Sequence, residues 1–160
     1  MLTVDAILTA AGLLHASEKK WAAGNHVVYL SPANQLLGSY SALERYRSHE
    51  SRHYGSRGRE PAWEAHHIFE TRELDYLGVQ AKFPDRAQCL CVLIPKPAHI
   101  RINTVFAGHT RQFKDIQGIL QGYRLAHSIL GNYSGAPPGA VATELDQIIR
   151  AAFRSAGLSV

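Results

Sequence analysis

Apolar residues recur every three or four positions near the N-terminus and through the C-terminal third of the chain, which is the spacing of amphipathic helices. The helices that this spacing predicts cover residues 3–17, about 110–130 and about 140–156. A capping-box pattern from Ser41 to Glu44 predicts a further short helix. Together these patterns predict helical flanks over residues 1–47 and 110–157. Within the first flank, residues 26–30 are a short strand-like run.

The centre of the chain shows extended patterns followed by one more helix. Residues 62–70 form an extended segment, and 89–94, with the sequence Cys-Leu-Cys-Val-Leu-Ile, are the most strand-like run. Pro97 suits the first turn of a helix that begins near Ala98, because no backbone hydrogen is needed there, and Gly108 ends that helix. Strands and helices in this order, over 160 residues, predict an α+β fold in a single domain.

Nine histidines are the unusual part of the composition, and three of them lie in this central region. Adjacent residues on a strand point to opposite faces, so His66 and His67 can differ in role only if the strand bends or lies at a sheet edge. On the helix, His99 and Asn103 share a face because they are four residues apart. A hairpin that brings His66 beside that face would gather two imidazoles and an amide oxygen, which can hold one divalent metal ion.

Such a site suits the hydrolysis of a phosphodiester bond. His67 would remain free as a general base, since an imidazole whose pKa lies near its ordinary value of about 6.5 accepts a proton from water at neutral pH. The metal ion would stabilise the charge that develops on the scissile phosphate. The pattern therefore predicts metal-assisted hydrolysis.

The order Ala65-His66-His67, a hairpin, and His99-x-x-x-Asn103 on a helix resembles the HNH, or His-Me finger, nuclease superfamily. Within it, the sequence is similar to the Ala-His-His toxin domains of bacterial polymorphic and Rhs-type effectors. The resemblance covers about residues 62–107 and implies a ββα-metal core there. It also implies one divalent ion (Mg²⁺, Mn²⁺, Ni²⁺ or Zn²⁺). The implied metal ligands and general base are, in this order, His66, His99, Asn103 and His67.

One position departs from that family, in which an asparagine on the hairpin orients the base. No asparagine occurs between residues 35 and 102. The resemblance therefore gives this role to Gln88, the nearest amide, with Asp85 as a second candidate. Arg101 follows His99 by two residues on the predicted helix and is expected either to steady a phosphate or to be an ordinary surface arginine.

A basic segment over residues 45–60 precedes this core. It contributes to a formal charge of +4, which comes from 17 Lys and Arg against 13 Asp and Glu. The segment either contacts phosphates or is only solvated surface. Its candidate nucleic-acid-binding residues are Arg45, Arg47, Arg52, Arg57 and Arg59.

The resemblance also implies a biological setting. DNA is the expected substrate, and a cognate immunity protein with an acidic surface is the expected partner. Delivery is expected as part of a larger effector, through a secretion system such as type VI, into the cytoplasm of a competing bacterium. A monomer is expected, with neither a signal peptide nor a membrane span, since no apolar run reaches the roughly 18 residues that a span needs.

Other functions fit parts of the pattern. The main alternative is a non-catalytic nucleic-acid- or protein-binding domain with a structural zinc. An RNase is a lesser alternative, as is a zinc-dependent nucleobase deaminase, although His67-x-x-Glu70 and Cys89-x-Cys91 have the wrong spacing for the latter. Glu64 is interpreted as a solvated side chain or an imidazole partner, and His127 as a core histidine.

Overall fold

The computed structural model describes residues 1–53, 63–109 and 115–160. Within them the chain forms an α+β fold with six helices and five strands, which confirms the predicted fold class. The helices are α1 (Val4–Ala10), α2 (Tyr40–His53), α3 (Thr71–Tyr76), α4 (Lys96–His109), α5 (Ile116–Ser128) and α6 (Ala140–Ser155). The strands are β1 (Glu18–Ala23), β2 (His26–Leu30), β3 (Leu36–Ser39), β4 (Trp63–His67) and β5 (Leu90–Pro95).

The strands form one antiparallel sheet in the order β1-β2-β3-β5-β4. In β5, all six residues are buried, as expected of an apolar run with a neighbouring strand on each side. In contrast, β4 has one partner within the described residues and so lies at the sheet edge. The register places His66 opposite Val92 and His67 opposite Cys91.

Helices cover both faces of the sheet. One face packs against α2, through Leu43 and Tyr46, and includes Ala65 of β4. The opposite face supplies the larger apolar cluster, which joins Val92 of β5 to Phe106 of α4 and to α1, α5 and α6. Because alternate residues of a strand face opposite sides, these two layers determine where each histidine of β4 points.

The N-terminal flank differs from the predicted helical flank, because residues 18–39 hold three strands, of which the sequence indicated β2 alone. β1 is exposed along most of its length and therefore lacks the apolar periodicity on which the prediction depended. It is held by pairing with β2 across a turn at Gly24, which has a φ of 58°. The first helix also ends at Ala10, earlier than predicted, before Gly12 adopts a φ of 73°.

The C-terminal flank agrees better with its prediction. α5 and α6 lie inside the two predicted helices, although residues 110–114 are outside the described part of the chain. α4 begins two residues before Ala98 and passes through Gly108 to His109. In the described ranges no helix has both the length and the apolarity of a membrane-crossing segment.

Candidate functional site

The edge strand β4 presents its histidines to two different layers of helices. His66 is buried on the α4 side, with its ring 6.2 Å from that of Phe106. His67, the last residue of the strand, faces the α2 side and stacks on Tyr40, with ring centres 5.1 Å apart and planes at 14°. From the sequence, these two residues could differ in role only if the strand bends or lies at the edge of the sheet. In the structure the strand lies at the edge.

His66 is the centre of a group of three imidazoles. Its ring centre lies 5.2 Å from that of His99 on α4 and 5.4 Å from that of His127 on α5. Its Nε2 is 3.1 Å from the Nε2 of His127. Burial lowers the pKa of His66 well below its usual range, and the neighbouring imidazoles lower it further. Burial also lowers the pKa of His127, to about 4, so both rings are neutral at neutral pH.

His99 is oriented by a carboxylate of the adjacent strand. Its Nδ1 donates to Oε2 of Glu64 at 2.6 Å, and the two side chains are 21% and 32% exposed. Histidines that bind metals commonly donate their other ring nitrogen to a carboxylate in this way. In the neutral ring this arrangement leaves the lone pair on Nε2, where a metal ion can be bound.

His67 is held by the chain that precedes β5. Its Nε2 donates to the carbonyl oxygen of Arg86 at 2.9 Å, and the Arg86 guanidinium lies 3.5 Å from its Nδ1. Burial lowers the pKa of His67, and the charge on Arg86 lowers it further, although the bond to the carbonyl acts in the opposite direction. The neutral ring therefore has its lone pair on Nδ1, beside a positive charge.

The remaining residues assigned by resemblance form no hydrogen bond to these imidazoles within the described residues. Gln88 is exposed, and its backbone N–H donates to Asp85, so the carbonyl of Arg86 occupies the place expected for an orienting amide on His67. Asn103 is exposed on α4, one turn after His99. Arg101 is also exposed, and its guanidinium lies 3.4 Å from the hydroxyl of Tyr133.

The arginines of the basic segment are only partly described. Arg45 is exposed on α2. Arg47, on the same helix, donates to the carbonyl oxygen of Trp63 at 2.7 Å and to Glu44 at 2.8 Å. Arg47 thus ties α2 to the start of β4. The side chains of the other candidates lie outside the described residues; these candidates are Arg52, Arg57 and Arg59.

The metal expected from the sequence can be tested against the donors. No group of three or more His, Cys, Asp or Glu side chains that could hold a metal ion is found in the described part of the chain. His66 and His99 nevertheless fit as a pair of ligands, because two imidazoles that share one tetrahedral ion have ring centres about 5 Å apart. A pair of protein ligands leaves positions for water, an amide oxygen and phosphate.

Three contributors to this site escaped the sequence reasoning. Arg86 and Tyr40 carry no pattern that would connect them to His67, because they come from other elements. His127 was recognised as buried but was assigned only to packing. Glu64 was considered as an imidazole partner, and its position two residues before His66 was the available signal, since residues i and i+2 of a strand share a face.

Comparison with known proteins returned no relative: neither a family model, nor a curated protein, nor a solved structure matches this chain. The resemblance drawn from residues 62–107 therefore stands on the motif alone.

Proposed function

We propose that this protein is a metal-dependent endonuclease that hydrolyses phosphodiester bonds in DNA. The observation that carries the proposal is the approach of two imidazoles from different elements, His66 on β4 and His99 on α4, with ring centres 5.2 Å apart. The next residue of the same strand, His67, carries a third imidazole on the α2 side of the sheet edge, and its surroundings favour the neutral form. Two candidate ligands and one candidate base are the minimum set for the reaction.

The order of elements supports the same proposal. β4 and β5 form an antiparallel pair, and α4 follows β5 directly and packs against both strands. We assign these three elements to a ββα-metal core of the His-Me finger type. The rest of the chain would then support that core: β3 pairs with the other edge of β5, and α2 covers the face that carries His67.

The chain's own residues suggest how the water would be activated. His67 is held by the Arg86 carbonyl through Nε2, so its Nδ1 would take the proton of the attacking water once the Arg86 guanidinium, which faces that nitrogen, turns to the scissile phosphate. The Arg86 guanidinium, 3.5 Å from that nitrogen, supplies a positive charge for the scissile phosphate. A divalent ion bound through His66 and His99, with Asn103 as the third ligand of the resemblance, would supply charge stabilisation at the same phosphate. The leaving oxygen departs from phosphorus as the new bond to water forms.

The biological part of the proposal depends on the same resemblance. It holds that the nuclease acts as a monomer in the cytoplasm of a competing bacterium, after delivery within a larger effector. It also holds that an acidic immunity protein neutralises the toxin. The formal charge of +4 agrees with both DNA and such a partner.

The alternatives have less support. A structural zinc needs about four protein ligands, and the described residues contain no such set. A deaminase would need thiolates, yet Cys89 and Cys91 are buried and burial raises the pKa of both thiols. An RNase would use the same imidazoles and differs from the proposed DNase in substrate alone.

A cleavage assay on supercoiled plasmid tests the proposal. The wild-type protein should nick and linearise the plasmid with Mg²⁺, Mn²⁺, Ni²⁺ or Zn²⁺ and stop in chelator. His67→Ala should lower the rate about 10²–10⁴-fold, because general-base catalysis contributes about that factor. His99→Ala should abolish cleavage and weaken metal binding in calorimetry, while metal binding should persist in His67→Ala.

The matched control is His15→Ala, which removes an exposed histidine from the turn that follows α1. It should cut like the wild type. Structured RNA in a parallel assay separates an RNase from a DNase. Cleavage that survives in His67→Ala removes that residue as the base, and a wild type that cuts neither DNA nor RNA with any of the four ions overturns the nuclease assignment.

A further inference from the structure

The contact between His66 and His127 raises a question of proton placement that the packing of the two rings leaves open. Their Nε2 atoms are 3.1 Å apart, and both side chains are 1% exposed. At this distance one nitrogen must carry a hydrogen and the other must accept it. The choice decides which nitrogen of each ring is left with a lone pair.

We infer that His127 is a positioning residue that accepts the Nε2 hydrogen of His66 and thereby leaves the Nδ1 lone pair of His66 for the metal ion. The inference rests on the proposed function, because the ion is the one used in hydrolysis. With the opposite assignment, in which His127 donates, the neutral His66 ring would carry its hydrogen on Nδ1 and have no nitrogen left for an ion.

The other two rings lie on either side of what this assignment requires of His66. The rings of His99 and His127 lie at 5.2 and 5.4 Å from that of His66, and both meet it edge to face, at 71° and 76°. Since Nε2 of His66 is engaged by His127, its other nitrogen is the one that remains for the shared ion. His127 thus acts on the ion through His66 and is not itself a ligand.

The ring of His127 is itself firmly placed. It stacks on Tyr123 one turn earlier in α5, with ring centres 5.9 Å apart and planes at 17°. The ring of Phe106 meets it edge to face at 6.0 Å. These contacts hold Nε2 of His127 toward β4 and so fix the place at which the hydrogen bond between His66 and His127 is made.

The inference has a visible cost. If Nε2 of His127 accepts, its Nδ1 carries the hydrogen, and that nitrogen is buried with no hydrogen-bond partner among the described residues. A buried donor without an acceptor is rare in proteins and often coincides with function. If the ring served packing alone, an apolar ring could fill the same place without burying an unpaired hydrogen-bond donor.

The first test reads the tautomers directly in the metal-free protein. Long-range ¹⁵N–¹H spectra of the imidazoles should show His66 with its hydrogen on Nε2 and His127 with its hydrogen on Nδ1. A hydrogen on Nδ1 of His66 would overturn the inference. This measurement does not depend on whether the protein cuts DNA.

The second test uses two amide replacements that differ in reach. A glutamine amide can reach the place of Nε2, whereas the shorter asparagine reaches only that of Nδ1. His127→Gln should therefore bind Zn²⁺ nearly as the wild type does in calorimetry. His127→Asn should bind it about tenfold to a hundredfold more weakly, the usual effect of losing an orienting partner. Thermal unfolding confirms that both variants are folded.

The outcomes separate this inference from the proposed function. Equal Zn²⁺ affinity in wild type, His127→Gln and His127→Asn overturns the positioning role, as does an equal loss in both variants. A wild type that binds no Zn²⁺ overturns it as well. An active nuclease with the opposite tautomer leaves the proposed function intact and removes the inference. A protein with the expected tautomers and Zn²⁺ affinities that cuts no nucleic acid does the reverse.

Discussion

At the scale of single residues, Glu73 and His127 carry three of the buried side-chain atoms that have no hydrogen-bond partner within the described part of the chain. They are both carboxylate oxygens of Glu73 and the Nδ1 of His127. Each such atom costs about 1–3 kcal/mol of stability. Glu73 lies on α3, which follows β4 and precedes β5 along the chain, and the residue is 2% exposed. Its burial raises its pKa from 4.5 to about 7, and the nearby charge of Glu70 adds to the rise.

Glu73→Gln should flatten the dependence of stability on pH. With a pKa raised from 4.5 to about 7, the folded protein retains a proton that the unfolded chain loses. Stability contributed by this group is therefore present below pH 4.5, is lost as the pH rises through 7, and amounts to about 3 kcal/mol. Denaturant unfolding at about pH 5 and pH 8 should show a smaller difference for the variant than for the wild type.

Asp75→Asn is the control for this comparison, because Asp75 is exposed on the same short helix. It should keep the pH dependence of the wild type. If Glu73→Gln also keeps the pH dependence of the wild type, the pKa of Glu73 is not raised in the folded protein, and its carboxyl group is ionised at neutral pH.

The residues of the site were predictable from sequence where one strand, one helix or the hairpin motif relates them, as it does His66 and His99. Alternation within one strand separated His66 from His67, and the four-residue spacing of a helix grouped His99 with Asn103. Arg86 and His127 could not be found in this way, because 19 and 61 positions separate them from the histidines that they contact. Such pairs are decided by how layers pack, which periodicity does not report.

At the scale of elements, the join between β3 and α2 fixes the layer behind His67. Gly38 of β3 leaves room for the neighbouring strand, since a Cβ there would lie 2.9 Å from the carbonyl oxygen of Val27 on β2, whereas Cβ of Ala42 on α2 would be at an ordinary 3.6 Å. The chain turns directly from β3 into α2 at Tyr40, and the ring of that residue stacks on His67. The position of α2 therefore determines one wall of the site.

Gly38→Ala should destabilise the protein by about 1–3 kcal/mol, the usual effect of overpacking against a rigid backbone atom. Chemical denaturation measures the change. Gly108→Ala is the matched control, because that glycine lies within α4 and a Cβ there meets nothing within 4 Å. Alanine has a higher helix propensity than glycine, so the Gly108→Ala protein should be as stable as the wild type or up to about 1 kcal/mol more stable. Equal stability of the two variants would show that the backbone of β2 shifts at Val27 without a loss of stability.

Element prediction succeeded where each element carries its own signal. The apolar run of β5 and the amphipathic faces of α5 and α6 are visible in sequence because each element buries a continuous face. The sequence did not predict β1, because the strand is mostly exposed and is held by backbone pairing with β2. A strand that depends on its neighbour carries little of its own signal in the sequence.

Across the whole molecule, the excess of positive charge bears on how a polyanion is held. If the basic segment contacts DNA, neutralising Arg52, Arg57 and Arg59 together should reduce the slope of log affinity against log salt. The reduction should be about one unit for each DNA phosphate that the segment no longer neutralises. Fluorescence anisotropy over a series of salt concentrations measures the slope.

The control for this charge effect removes three exposed basic residues from β1 and α6: Lys19, Lys20 and Arg154. It lowers the net charge by the same amount, so a general effect of charge would change both slopes equally. An unchanged slope in the arginine variant would leave the segment as solvated surface.

The place of β5 in the sheet limits what can be moved from this protein into another. A fragment holding only the strand pair and the helix after it would lack β3, which hydrogen-bonds the other side of β5 from residues some fifty positions upstream. It would also lack the aromatic ring of Tyr40 that lies against His67. The motif is short, but the residues that hold it in place are spread along the chain. Grafting the motif onto an unrelated hairpin would therefore transfer the histidines without the strand and the ring that orient them.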